Sequence, residues 1–265
     1  MSSNIFNSRR FLLLCRQHFV HNNKLLGFSA GAYVGVVFIL LSFVQATEDF
    51  RPHDLDNFRG FLIGFVIVFG LLYVGYSFPA FRSKESTMNY LLVPASMTEK
   101  FVFELITRIG LMLLALPLLF WITFNLQGYF FTLFTEFSFD PIGIQQLVTV
   151  EMPNGIDSVG WFSTMIIGLA LLLFVVPFTG AAIFSKQPLV KTLFSVAVIV
   201  IFYSTVIYLV AEPLGLNQYH RDPEEGMWLL PTNEHTAFRF FGVVVIIANA
   251  VMLFVAYRKL KEREV

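Results

Sequence analysis

Residues 161–183 have the sequence WFSTMIIGLALLLFVVPFTGAAI and contain no charged side chain. At ~1.5 Å per helical residue, this segment is long enough to cross a hydrocarbon core of ~30 Å. Working outward from it in both directions, other apolar segments of similar length recur along the chain. The sequence therefore predicts six transmembrane helices, over 25–44, 61–81, 101–125, 161–183, 192–211 and 238–257.

The composition supports a membrane protein over a water-soluble one. The chain has 265 residues, of which 56% are hydrophobic and 14% charged. A soluble domain carries roughly 25% charged residues, so this chain could not cover a soluble surface. We expect an all-α polytopic membrane protein that forms a single transmembrane domain over residues 1–265. Cys15 is the only cysteine, which excludes an intrachain disulfide and a cysteine-rich metal site.

The Lys and Arg residues are distributed unequally between the two sides of the predicted membrane. Thirteen of the eighteen fall on one side: Arg9, Arg10, Arg16, Lys24, Arg82, Lys84, Lys100, Lys186, Lys191, Arg258, Lys259, Lys261 and Arg263. Four fall on the other side, and Arg108 lies inside the third span. Because positive residues mark the cytoplasmic side, the pattern predicts that both termini are cytoplasmic.

Residues 5–22 precede the first span and are too polar to cross a membrane. Their apolar residues recur near helical spacing and alternate with Arg9, Arg10, Arg16 and His18. This pattern predicts an amphipathic helix that lies on the inner membrane surface. The alternative is a flexible basic tail.

Two motifs within the spans indicate packing. Gly27, Gly31 and Gly35 are spaced four residues apart, which predicts a stripe where another helix approaches closely. Glu104 and Arg108 lie four apart in the third span, in the order that favours an ion pair on one helix face. We expect this intramembrane pair to be structural, because a proton or ion pathway needs more ionisable groups near the midplane.

The inner loop at residues 82–100 combines two helix signals with a break between them. Ser83 or Ser86 can cap a short helix that ends at Leu92, because a residue preceding Pro94 disfavours helical geometry. The sequence Ser-Met-Thr-Glu at 96–99 then forms a capping box for the third span.

The sequence YLLVPAS at residues 90–96, followed by Glu99-Lys100-Phe101, resembles the segment between the second and third spans of type-two permeases of ATP-binding-cassette (ABC) exporters. That family segment has Leu, Pro, any residue and Ser, with an acid three residues later; Val93 replaces the usual Leu. Six spans, cytoplasmic termini and an amphipathic first helix also resemble these permeases.

The resemblance implies that two permease subunits, identical or different, form a translocation path for a lipid-like, drug-like or glycan substrate in the bacterial cytoplasmic membrane. A separate cytosolic ATP-binding subunit would dock on residues 84–100 and drive alternating access. The residues expected to couple the ATPase to the spans are Met88, Tyr90, Leu91, Leu92, Pro94, Ser96 and Glu99.

Other functions have weaker support in the sequence. No phosphate-binding loop or His-x-x-x-His pair occurs, so we expect no cofactor, metal or catalytic site in this chain, and no basic patch indicates nucleic acid. Two alternatives stay open: a membrane anchor or assembly protein that does not transport, and a lipid-modifying membrane enzyme. The enzyme should place clustered His, Asp or Ser residues at one membrane face.

The charge distribution generates a topology prediction. Reporter fusions at residues 50, 140 and 225 should report the outer compartment, and fusions at 90, 188 and 262 the cytoplasm. A cytoplasmic signal at 140 or 225 would contradict the six-span arrangement.

Overall fold

The computed structural model describes residues 6–47, 55–134, 139–148, 159–211 and 234–263. About 89% of these residues are helical and none of them forms a strand. The helices are α1 (Ser8–Thr47), α2 (Leu55–Gly75), α3 (Lys84–Leu92), α4 (Met97–Leu105), α5 (Leu111–Thr132), α6 (Ile144–Val148), α7 (Val159–Ile183), α8 (Pro188–Ala211) and α9 (Glu234–Glu262). A 3₁₀ turn covers Pro79–Arg82, and a π-helical turn covers Ile106–Gly110.

Six helical segments in the described residues are long and apolar enough to cross a membrane, which confirms the predicted class. They are Ser8–Ala46, Phe58–Gly75, Met97–Thr132, Val159–Ile183, Pro188–Val210 and Thr236–Glu262. The third segment consists of α4, the π turn and α5. They form one continuous helix, because the backbone stays helical across both junctions. The six segments fit an integral membrane protein.

The N-terminal helix and the end of the second span differ from their predicted boundaries. The expected junction between a surface helix over 5–22 and a span beginning at residue 25 is absent, because α1 continues without interruption from Ser8. At ~1.5 Å per residue, α1 is ~60 Å long, about twice the thickness of a hydrocarbon core. The second span was predicted to reach residue 81, but α2 ends at Gly75. Pro79 explains that end, since Phe78 before it adopts a left-handed φ of 52° instead of helical geometry.

The chain divides into two compact units. The first contains Met1–Tyr73 and Val93–Glu151, and the second contains Val74–Leu92 and Met152–Val265. Aromatic rings from α1, α2 and α5 form the core of the first unit. Tyr33 contacts Phe69 with ring centroids 5.0 Å apart, and Phe58 contacts Phe124 at 4.6 Å. The sequence prediction of a single permease domain over 1–265 stays a prediction.

The segment that follows α5 is fixed to that helix by hydrogen bonds. The indole Nε1 of Trp121 donates to the Ile142 carbonyl at 2.7 Å. The Asn125 carboxamide accepts the Ile142 amide at 3.0 Å and donates to the Ile142 carbonyl at 3.3 Å. Both polar groups of Ile142 are thereby satisfied, which places α6 beside α5 in the first unit.

Helix α7 is the best-covered span of the second unit, with half of its apolar window buried. Gly168 lets α9 approach so closely that Asn249 Nδ2 donates to the Gly168 carbonyl at 2.9 Å. Further along α7, Gly180 lies against Thr192 at the beginning of α8. Small residues on α7 therefore set its contacts with both neighbouring helices. In the last outer loop, the apolar residues 226–231 are too few to span a membrane and predict either a segment that dips back into it or an ordinary packed loop; they lie outside the described residues.

The contact at Gly180 generates a stability prediction. A Cβ at this position would overlap the Thr192 side chain, whereas a Cβ at Gly160 of the same helix meets nothing within 4 Å. Gly180→Ala should therefore lower the thermal unfolding temperature in detergent, although alanine itself favours a helix by about 1 kcal/mol. Gly160→Ala is the matched control and should not lower it. Equal effects of the two substitutions would show that Gly180 does not set the α7–α8 contact.

Candidate functional site at the start of the third span

The segment predicted to couple an ATPase to the spans covers α3 and the beginning of α4, which Val93–Ala95 join along the chain. Helix α3 ends at Leu92, as predicted from Pro94, and three non-helical residues follow before the cap of α4. Because α3 belongs to the second unit and α4 to the first, we describe the surroundings of each helix separately.

The predicted coupling residues of α3 divide into exposed and packed side chains. Met88 is 66% exposed and Leu92 is 79% exposed. Tyr90 instead packs on Phe81 of the 3₁₀ turn, with ring centroids 5.2 Å apart. The side chain of Leu91 lies outside the described part of the structure. Met88 and Leu92 are therefore apolar side chains of α3 that are available to a partner.

The 3₁₀ turn fixes α3 within the second unit. Thr87 Oγ1 donates to the Ala80 carbonyl at 3.0 Å and contacts the Ser83 carbonyl at 2.8 Å. Phe78 packs on Phe178 of α7 with centroids 4.9 Å apart. This series of contacts connects α3 to the core of its unit through the turn that precedes it.

The end of α9 reaches the same turn. Arg263 Nη2 donates to the Ile183 carbonyl at 2.8 Å, which satisfies a free carbonyl at the end of α7. Its guanidinium lies 5.3 Å from the centroid of the Phe81 ring, a cation–π distance. Burial lowers the pKa of Arg263 from its ordinary value, which still leaves it charged near neutral pH. No sequence pattern predicts this contact, since Arg263 is one of several cations in a basic segment.

The capping box predicted at the start of α4 is confirmed. Ser96 Oγ accepts the Glu99 amide at 3.3 Å, and Glu99 Oε2 accepts the Ser96 amide at 2.9 Å. Ser96 has the extended backbone of an N-cap residue. The reciprocal bonds fix the direction in which the chain enters the third span.

Glu99 also binds the beginning of α1, which the sequence analysis did not predict. Its Oε1 atom accepts the Asn7 amide at 2.7 Å and the Arg10 guanidinium at 3.1 Å. The Glu99 side chain is fully buried, while 31% of the Arg10 side chain is exposed. One carboxylate thus accepts three donors from two distant parts of the chain and joins the first turns of α1 and α4. We call this arrangement the Glu99 clamp.

The predicted ion pair between Glu104 and Arg108 is confirmed at 3.2 Å. Both residues are buried, and the Arg108 guanidinium lies 5.0 Å from the centroid of the Tyr73 ring. Tyr73 in turn donates its hydroxyl to the Thr107 carbonyl at 3.2 Å. The π turn at Ile106–Gly110 contains both Thr107 and Arg108, and its extra residue per turn lets these neighbours both face inward. The Arg108 guanidinium and the Tyr73 hydroxyl therefore both have partners within the first unit.

An apolar cleft of about 180 Å³ lies between α1, α2 and α5 in the first unit. Its walls include Tyr33, Phe69, Tyr73, Met112 and Leu116. A cavity of ~150 Å³ with apolar walls holds a molecule the size of benzene. The cleft is therefore large enough for a short hydrocarbon segment or a single ring.

The predicted glycine stripe has no partner helix in the described part of the chain. A Cβ built on Gly27, Gly31 or Gly35 meets nothing within 4 Å. The expected close packing at this stripe is therefore not an internal contact of these residues, and packing against another molecule stays a prediction.

Neither a metal centre nor a known relative identifies the site. Among the residues that the structure describes, no group of three or more His, Cys, Asp or Glu side chains could hold a metal ion. Comparison with protein-family models finds no match to this chain, and comparisons with curated proteins and with solved structures also find none.

The Glu99 clamp generates a prediction about the beginning of α1. Glu99→Ala removes the acceptor for Asn7, Arg10 and Ser96, and each lost bond to a buried carboxylate costs about 1–3 kcal/mol. Ser96→Ala removes one cap and should cost about 1 kcal/mol. We therefore expect faster tryptic cleavage after Arg9 and Arg10 in Glu99→Ala than in Ser96→Ala.

Glu85→Ala is the control for this experiment, because it removes an exposed acid from α3. It should leave the cleavage rate unchanged. If Glu99→Ala cleaves no faster than Glu85→Ala, the clamp does not hold the beginning of α1.

Proposed function

We propose that this chain is the membrane-spanning permease subunit of an ABC exporter, and that a separate cytosolic ATP-binding subunit docks on α3. The observation that carries this proposal is the pair of exposed apolar side chains, Met88 and Leu92, on a short helix that the chain connects directly to a capped transmembrane helix. Exposed apolar side chains on a short helix suit insertion into a groove of a partner protein. The resemblance of residues 90–101 to exporter permeases supports the same reading.

In this proposal, α3 lies on the cytoplasmic side, with both termini in the same compartment. The excess of Lys and Arg on that side supports this orientation. The first turns of α1 would lie at the inner surface of a bacterial cytoplasmic membrane and contact lipid headgroups. Leu12 and Leu13 there are more than 60% exposed, and Arg9 and Arg16 accompany them on the same helix.

The coupling would run from the ATPase through the covalent connection into the third span. A force on α3 is transmitted through Val93–Ala95 to Ser96, where the capping box fixes the start of α4. Because Glu99 also holds Asn7 and Arg10, the beginning of α1 would move with the beginning of α4. Two transmembrane segments would thus respond to one docking helix.

The cleft between α1, α2 and α5 supports a lipid-like or drug-like substrate over a glycan. Its walls are almost entirely apolar, and a glycan needs hydrogen-bonding partners that these walls do not supply. Both helices that the Glu99 clamp joins, α1 and the third span, border the cleft. Movement of these helices would therefore change its shape.

The docking proposal is tested by changing Met88 and Leu92 to Asp together. The double substitution places two charges where an apolar contact is expected, and it alters no span. Co-purification of an ATP-binding-cassette subunit encoded beside this chain should be lost, together with stimulation of its ATPase activity in membranes.

The matched control exchanges Met88 for Leu and Leu92 for Met, which keeps the surface apolar and should retain binding. If the double-Asp variant inserts normally and still binds the ATPase fully, α3 is only a connector. The chain would then fit a membrane anchor better than a transporter.

A further inference from the structure

The Arg108 guanidinium lies at one end of the apolar cleft of the first unit. Tyr73 is a wall residue of the cleft, and the centroid of its ring is 5.0 Å from the guanidinium carbon. Further wall residues follow Arg108 along the third span at helical spacing: Leu111, Met112 and Ala115. The cation and the apolar wall therefore share one face of this helix.

Arg108 has donors that its partner Glu104 does not use. A guanidinium carries five N–H groups, and only the one on Nε donates to Glu104, at 3.2 Å. Within the described part of the chain, the Nη atoms donate to no carbonyl or carboxylate. A guanidinium binds carboxylates and phosphates through pairs of such donors. This buried side chain can therefore accept an anionic ligand.

The buried charges around Arg108 leave a positive excess. Lys100, Glu104 and Arg108 recur every four residues on the third span, and all three are buried. The other buried acid at the start of this span, Glu99, is bonded to Arg10 of α1. Among these described groups, three cations accompany two acids. Because an uncompensated buried charge is costly, an anionic ligand would stabilise this part of the first unit.

A π turn gives Arg108 its position. The turn covers Ile106–Gly110, and its extra residue lets Thr107 and Arg108 both face inward. Thr107 donates its hydroxyl to the Phe103 carbonyl at 2.8 Å, so it is satisfied within the helix. Such turns inside α-helices are rare and occur frequently at functional sites. The turn thus presents Arg108 as the group that can bind a ligand.

Contacts between α1 and the third span set the depth of Arg108. The His18 ring packs on Phe103 with centroids 5.1 Å apart, and Tyr33 donates its hydroxyl to the Leu116 carbonyl at 3.3 Å. These two contacts lie on either side of Arg108 along the helices. They place Arg108 level with the part of α1 where the first predicted span begins. A headgroup meets hydrocarbon at that level of a bilayer.

Two polar side chains of α1 lie on the same side as the cleft. Asn22 is one turn before the wall residue Leu26, and Asn22 Nδ2 is 3.2 Å from His18 Nδ1. His18 is near enough to Arg108 for the two to interact electrostatically. An amide and an imidazole can each donate to an anion that the guanidinium binds.

We propose that Arg108 and the cleft bind an amphiphile with one hydrocarbon chain and an anionic headgroup. The chain would lie between α1, α2 and α5, and the phosphate or carboxylate would lie on Arg108. The cleft volume of about 180 Å³ suits a segment of one hydrocarbon chain and not two side by side. Only the role of this amphiphile as the exported substrate rests on the proposed function. Its single chain and its charge follow from the first unit alone.

Photo-labelling of the purified chain in phosphatidylcholine nanodiscs tests this site. The probe is hexadecyl phosphate with a diazirine in its hydrocarbon chain, and peptide mapping should locate the label on α1, α2 or α5. Unlabelled hexadecyl phosphate should compete. Hexadecanol has the same chain without the charge and should compete about tenfold less well. Inorganic phosphate alone should compete less well still, because it has no chain to bury.

Substitutions at the headgroup site separate binding from folding. Arg108→Gln should weaken labelling about tenfold, because it removes charge-assisted hydrogen bonds. Arg16→Gln removes an exposed cation of α1 and should leave labelling unchanged. Glu104→Gln removes the acid that competes for Arg108, so it should tighten binding about tenfold. A misfolded variant could not show such a gain.

Substitutions in the third span test the position of the chain. Ala115→Phe fills the cleft and should lower labelling about tenfold, whereas Leu114→Phe changes an exposed residue of the same helix and should not. Equal competition by hexadecanol, or no gain in a Glu104→Gln variant that inserts normally, would overturn the anionic site. Labelling confined to α7, α8 and α9, or unaffected by Ala115→Phe, would overturn the cleft as the site of the chain.

Failure here is distinguishable from failure of the proposed function. The labelling needs no ATP-binding subunit, and the α3 substitutions change no residue of the cleft. Binding of the amphiphile without ATPase docking would keep this site and remove the transporter. ATPase docking without amphiphile binding would keep the transporter and remove this site.

Discussion

The burial of the Glu99 carboxylate is the constraint on which the arrangement of the first unit depends. A fully buried charge destabilises a fold unless donors replace the water that it loses. Glu99 obtains these donors from Ser96, Asn7 and Arg10, so the folded state requires the start of α1 to lie beside the start of α4. The capping box alone would leave Oε1 without a partner. The same side chain therefore begins the third span and positions the N-terminal helix.

The functional proposal follows from which residues are fixed and which are exposed within each unit. In the first unit, the clamp fixes the beginning of α4. In the second unit, Phe81, Tyr90 and Arg263 fix the 3₁₀ turn and one side of α3. Met88 and Leu92 stay exposed on the same short helix. A rigidly attached helix with exposed apolar side chains is suited to receiving force from a partner protein.

Sequence patterns predicted features that depend on neighbouring residues. Hydropathy located all six segments, Pro94 located the end of α3, and the spacing of Ser96 and Glu99 or Glu104 and Arg108 predicted local bonds that the structure contains. The hydropathy pattern placed the end of α2 too late, because it counts apolar residues and ignores Pro79, which disfavours helical geometry at Phe78. Sequence patterns also missed the bonds from Glu99 to Asn7 and Arg10, since a separation of about ninety residues leaves no local periodicity. The patterns also did not predict that none of the apolar window of α8 is buried among the described residues. An apolar helix has the same sequence pattern whether protein or lipid surrounds it.

Site-specific photo-cross-linking from Met88 tests the central claim most directly. A photoreactive amino acid at this position would be activated in membranes that contain both this chain and the ATP-binding subunit encoded beside it. The account predicts a cross-linked product that contains the ATPase, and no such product when the group is placed at Leu114, an exposed residue of α5. An assembled complex that gives no ATPase cross-link from Met88 or Leu92 would contradict the claim that α3 is the docking helix.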